Sequence, residues 1–136
     1  MPHQLTFEHL HLYDTNKTGI TVDVRLKFGN SSTTFEAKVD TGASCCIFER
    51  VHAESLGHDV ESGSPERIST ANSYFTAYGH WVIVEVLGFE LDAFVFFAAD
   101  ENIRRNVLGR RGWIDMLKLG LVDYDGKLYL SLYGDE

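Results

Sequence analysis

The sequence predicts a mostly β fold with one or two short helices, and three observations carry that expectation. Two segments alternate apolar and polar residues with period two: Ile20, Val22, Val24, Leu26 and Phe28 in one, and Phe35, Ala37 and Val39 in the next. Turn residues recur between apolar runs, as Gly29-Asn30-Ser31-Ser32, as Gly88 and as Asp125-Gly126. Helical spacing is confined to two short stretches.

In chain order, Leu5 to Tyr13 reads as a weakly alternating strand and Asn16-Lys17-Thr18-Gly19 as a turn. The strand from Ile20 to Phe28 follows, and the Gly29 to Ser32 hairpin returns the chain along Thr33 to Val39, delivering Asp40 to a fixed place. Thr41-Gly42 then turns tightly, because glycine lets the backbone come close enough for an amide N–H to bond the carboxylate. Apolar residues resume at Ile47 and Phe48. Glu49 to Leu56 reads as a short helix with Gly57 as its C-cap, and the polar run His58 to Glu66 reads as a surface loop.

Arg67 to Gly79 reads as a second hairpin whose tip is Thr70-Ala71-Asn72-Ser73, with Asn72 tolerant of a left-handed conformation. Trp81 to Leu87 and Phe89 to Phe97 are strands about Gly88. The second is apolar on both faces around Phe94-Val95-Phe96-Phe97, which predicts a central strand. Trp113, Met116 and Leu117 fall at helical spacing that Gly120 ends, and Leu121 to Tyr124 pairs with Lys127 to Tyr133 across the last turn.

At 136 residues the chain is expected to form one domain, 1–136, of which 1–18 is an N-terminal extension. A net charge of −8 and a pI near 5.1 argue against nucleic acid or an anionic membrane as partner, since phosphate binding needs a basic patch. No run of 18 apolar residues occurs, and the N-terminus lacks the basic-then-apolar order of a signal peptide, so a cytoplasmic location is expected. Cys45 and Cys46 are adjacent and cannot staple a fold in the usual way, which suits a reducing compartment. His9 and His11 share one strand face, but no further Cys, His or acid completes a metal site; neither a metal nor a cofactor is expected.

Val39-Asp40-Thr41-Gly42-Ala43-Ser44 resembles the active-site loop of aspartic proteases, and the Ala after the Gly resembles the retropepsin branch, the retroviral-type enzymes. Asn106-Val107-Leu108-Gly109-Arg110 resembles the apolar-apolar-Gly segment that lies across from the catalytic loop in that family, and Ile68 to Gly79 occupies the place of its flap. The resemblance covers roughly residues 19 to 132. It implies a single-lobe closed β-barrel of the acid-protease fold, with Asp40 catalytic and Thr41 and Gly42 supporting the loop. It further implies Ala43, Ser44, Thr70, Ala71, Asn72 and Ser73 as substrate contacts, and Val107, Leu108 and Gly109 as the second structural motif.

Aspartic proteases resemble one another in using two carboxylates, whereas this chain has one Asp-Thr-Gly. The resemblance therefore implies a homodimer in which Asp40 meets Asp40 of a second copy, acting on a peptide or protein substrate between apolar residues. The strands at the chain ends, within 1–18 and from Leu128 to Tyr133, are the expected interface. The alternative is a catalytically silent dimerisation or peptide-binding module of the same fold. Two departures from the viral pattern stand out. The flap tip is not a glycine run, and Ser44 replaces an acid that pairs with the Arg after the Gly, which leaves Arg110 without a partner. Arg104, Arg105, Arg110 and Arg111 form a local basic cluster that reads as a solvated rim. Cys45 and Cys46 have no His nearby in sequence and read as packing residues.

Overall fold

The alternating segments pair as strands in a computed structural model of the chain, which describes residues 1–134. Strands β1 (His9–Leu12), β2 (Thr21–Phe28), β3 (Ser31–Val39) and β4 (Ile47–Phe48) precede one helix, α1 (Arg50–Ser55). Strands β5 (Ser64–Ser69), β6 (Tyr74–Val86), β7 (Phe89–Ala98), β8 (Val107–Leu108), β9 (Leu117–Val122) and β10 (Lys127–Leu132) complete the chain, with 3-10 turns at Val60–Ser62, Ile114–Met116 and Asp123–Asp125.

The β2–β3 register sets Val22 opposite Ala37 and Val24 opposite Phe35, so the apolar sides of the two strands share one face. From β3 the sheet continues through β8, β4, β7 and β6, and β6 returns to β2 from Val24↔Val86 to Lys27↔Ile83. Six strands thus close into a ring, with β5 attached to the outer half of β6. Closure leaves no edge within the ring, and it packs Val22, Val24 and Leu26 against Val82, Val84, Val95 and Phe97 in the interior. Phe48 bridges this interior to β3, its ring 5.2 Å from Phe35 and 6.0 Å from Phe97. As expected, β7 is internal, hydrogen-bonded to β6 on one side and β4 on the other.

Four sequence expectations are corrected. The flap strand does not stop at Gly79: β6 runs unbroken through Gly79 and His80, because the Phe94 ring covers the glycine and a Cβ there would meet it at 2.4 Å. The stretch from Trp113 to Gly120 is not a helix beyond the 3-10 turn. Leu117, Leu119 and Leu121 alternate with Lys118, Gly120 and Val122, and that period-two pattern wins because β10 offers a partner, Leu130 opposite Leu119. Asn72 is not left-handed; the non-glycine residue with positive φ among those described is Leu87, at 52°, which forms a two-residue turn with Gly88 at 87°.

The fourth correction concerns the chain ends. β10 lies between β1 and β9 in a three-stranded sheet, with Leu128 and Leu130 fully buried, so both of its edges are used within the chain. Leu10 and Leu12 of β1 and Val122 of β9 fall on the opposite face of this sheet and are exposed. His9 lies edge-on to Phe89 and His11 is within hydrogen-bond distance of the Thr21 carbonyl. Among the described residues no group of three or more His, Cys, Asp or Glu is placed to hold a metal ion.

Candidate active site

Asp40 is set by backbone pairing on both sides. Its N–H donates to the Leu108 carbonyl at 3.0 Å, continuing the parallel β3–β8 pair in which Val39 faces Leu108. Behind it the Val39 N–H donates to the Ile20 carbonyl at 2.8 Å and the Lys38 N–H to the Asn106 carbonyl at 3.0 Å. The carboxylate is half-buried, and its Oδ1 accepts the Gly42 N–H at 2.9 Å. A Cβ on residue 42 would sit 3.2 Å from that oxygen, so the glycine keeps the approach open. Thr41 and Gly42 are exposed, Ala43 is buried, and the Ala43 N–H closes the turn on the Asp40 carbonyl at 3.1 Å.

After the turn the loop lies directly on the segment following β8. The Arg110 N–H donates to the Ala43 carbonyl at 2.9 Å and the Arg111 N–H to the Ser44 carbonyl at 3.0 Å. Gly109 is pressed against this crossing: an added Cβ would fall 2.1 Å from the Cys45 carbonyl oxygen and 2.9 Å from that of Ala43. Cys46 has a defined part in it, its Sγ accepting the Gly109 N–H at 3.4 Å. Burial pushes the Cys46 thiol up to about 12 and raises that of the half-buried Cys45 as well, which is the reverse of what a nucleophilic thiol needs. Both cysteines serve packing and loop geometry here.

The structure therefore brings Asp40, Thr41, Gly42, Ala43 and Ser44 together with Val107, Leu108 and Gly109, through contacts between segments more than 60 residues apart in the chain. The β5–β6 hairpin joins them through its stem, since Ile68 and Phe75 pack on the buried trio Ala43, Ile47 and Val107. Its tip differs. Thr70, Ala71, Asn72 and Ser73 are all exposed, tied by Thr70 N–H to the Ser73 carbonyl at 2.8 Å and Ser73 N–H to Thr70 Oγ1 at 3.1 Å. None of the four lines the open cleft of about 600 Å³ beside the loop, whose walls come from Ala43, Ser44, Ile47 and the stem residues Glu66, Ile68 and Ser69.

Two contributors named in the sequence have roles there that the sequence did not assign. Asn106 bonds on two sides, accepting the Lys38 N–H on its backbone carbonyl and the Glu49 N–H on Oδ1 at 3.0 Å, and so ties β3 to the start of α1. A polar residue immediately ahead of an apolar pair was the only signal available for that. The second is the arginine cluster: Arg104, Arg110 and Arg111 are exposed, as a solvated rim requires, and Arg105, Arg110 and Arg111 also line the cleft. Phe96 likewise lines the cleft, whereas Phe97 of the same aromatic run is core.

A family model described as Aspartyl protease matches residues 22–111, about two thirds of the chain, and spans both the Asp40 loop and the β8 segment. Among solved structures the fold is similar to that of the EIAV protease complexed with the inhibitor HBY-793, at a TM-score of 0.52 and 19% identity, over 66% of this chain and 80% of that one. Comparison with curated proteins finds no match.

Proposed function

This chain belongs to the aspartyl protease family, and from that premise we propose that it is a homodimeric aspartic endopeptidase whose catalytic pair is Asp40 and its counterpart on a second copy. The observation that carries the reading is the geometry of Asp40: a half-buried carboxylate at a strand end, held by the Gly42 N–H at 2.9 Å, with exposed Thr41 beside it. One such acid is half of the chemistry. Two carboxylates brought together hold one proton between them, because like charges in a shared site do not both ionise. The ionised member takes a proton from water as the oxygen attacks the scissile carbonyl, and the protonated member donates to the carbonyl oxygen. Return of a proton to the departing amine then completes hydrolysis.

Two features support the finer parts of the proposal. Exposed Leu10, Leu12 and Val122 on the outer face of the terminal sheet suit association through that sheet, whose outer strands are β1 and β9. Ala43, Ile47, Val107 and Ile68 give the site an apolar floor for side chains next to the cut. The β5–β6 hairpin serves as the flap over an extended peptide.

The test is cleavage of a diverse peptide mixture by wild type beside Asp40→Asn. Wild type is expected to cut, and purified Asp40→Asn to be inactive while keeping wild-type unfolding. Activity surviving in the mutant would sink the assignment to Asp40. A wild type that binds peptides without cutting any of them would point to the alternative, a silent peptide-binding module.

A further inference from the structure

We infer that the cleft beside the Asp40 loop selects substrates carrying acidic side chains near the scissile bond. This deepens the protease reading and rests on it for the cleavage step, though not for binding. The argument starts from charge. The protein is strongly acidic, at −8, yet four arginines, Arg67, Arg105, Arg110 and Arg111, line this one cleft against a single acid, Glu66. Among the described residues, Arg105, Arg110 and Arg111 make no ion pair or side-chain hydrogen bond. Arg67 is held over the Tyr74 ring at 4.0 Å, a contact that fixes the side chain without neutralising it.

Elsewhere on the surface Lys17 pairs with Glu36, Lys27 with Glu85 and Glu90, and Arg50 with Glu54 and Glu61. What marks the cleft is the gathering of four arginines against one acid in a single concavity. Ser44 contributes to the imbalance, since the loop residue whose carbonyl accepts the Arg111 N–H carries no charge. Unpaired guanidinium groups above an apolar floor of Ile47 and Ile68 suit a Glu or Asp side chain, with methylenes below and a carboxylate at the rim that can accept paired N–H bonds. Gly42 also lines the cleft and is bonded to the Asp40 carboxylate, so the position read is close to the cut. Alternate side chains of an extended peptide enter one wall, and each copy of a dimer brings one cleft, so acidic residues are selected within about four positions on both sides of the bond.

The experiment uses three fluorescein-labelled decapeptides with one apolar centre and flanks of Glu, Gln or Lys. Affinity is read by polarisation on the Asp40→Asn protein, and cleavage is read on wild type. The Glu peptide is expected to bind at least about fivefold tighter than the Gln peptide, with Lys weakest, and the ratio to shrink as salt rises from about 50 mM to about 0.5 M. In the Arg105→Gln/Arg111→Gln double variant, whose backbone N–H bonds to the loop are untouched, the Glu-to-Gln ratio falls toward one. If that variant fails to fold, the peptide series and the salt dependence on the unsubstituted cleft decide the matter. Equal affinity for the three peptides, a preference for Lys, or no binding of any of them overturns the inference. Glu-selective binding without cleavage by wild type leaves the cleft assignment standing and removes the protease reading instead.

Discussion

Gly109→Ala tests the crossing on which the site is built. The new methyl carbon would lie 2.1 Å from the Cys45 carbonyl oxygen, 2.6 Å from the Cys45 carbonyl carbon and 2.9 Å from the Ala43 oxygen, all of them backbone atoms that cannot rotate away. Ordinary contact begins near 3.4 Å, so the two segments must part by more than 1 Å. That displacement stretches the Arg110 N–H to Ala43 bond from 2.9 Å and the Arg111 N–H to Ser44 bond from 3.0 Å beyond useful length. Two lost hydrogen bonds at about 1 kcal/mol each, plus about 1–3 kcal/mol for overpacking, give a destabilisation of about 3–5 kcal/mol. For a domain of this size that lowers the melting temperature by about 10–20 °C. Thermal unfolding followed by circular dichroism measures it, with Gly29→Ala as the comparator. Gly29 has φ of 58° and open space around its Cβ position, so that variant carries the left-handed penalty of about 1–2 kcal/mol without any clash. If Gly109→Ala melts at or above Gly29→Ala, the tight crossing is not what holds the Asp40 loop.

Stability should also fall in acid. Burial, and then His80 beside it, hold the pKa of His58 below its ordinary 6.5, its ring packs 4.0 Å from Phe28, and its buried Nε2 has no partner. The folded pKa lies below the unfolded one, so the contribution is complete above about pH 6.5 and is lost as pH falls from there toward the folded value. Denaturant midpoints between about pH 7.5 and pH 5 should therefore drop less in His58→Phe than in wild type; equal slopes would refute the assignment. At the flap, Thr70→Val removes the acceptor for the Ser73 N–H, and kcat/KM is expected to fall by up to about tenfold at unchanged melting temperature. Unaltered kinetics would show that the tip is not the lid. Finally, specific activity should decline on dilution in step with dimer dissociation measured by sedimentation, and adding Asp40→Asn chains should depress it further through heterodimers with one carboxylate; full activity from a monomer would require a second acid within the chain.

What could be read from the residues alone is what depends on near neighbours in the chain. Alternation in β2 and β3, the turn at Gly42, the helix after Glu49 and the carboxylate at a strand end are each written in fewer than about ten consecutive residues, because side-chain period and turn stereochemistry are local properties. The family resemblance added that the Asp40 loop meets the β8 segment, and the structure bears this out in the Val39–Leu108 pairing. The failures share one cause. Leu117 to Gly120 is compatible with a 3.6 or a 2.0 period, and β10 decides between them only once it is alongside. Gly79 reads as a break until Phe94 is seen to cover it, and Leu128 to Leu132 reads as a free terminal strand until β1 and β9 occupy both of its edges. Arg110 and Arg111 are exposed, as the solvated-cluster reading expects, but sequence records charge and not which residues share a cleft. Arg67, brought in by the β5 stem, lines the same cleft as they do, and since a charge acts through distance in space, folding alone sets that grouping.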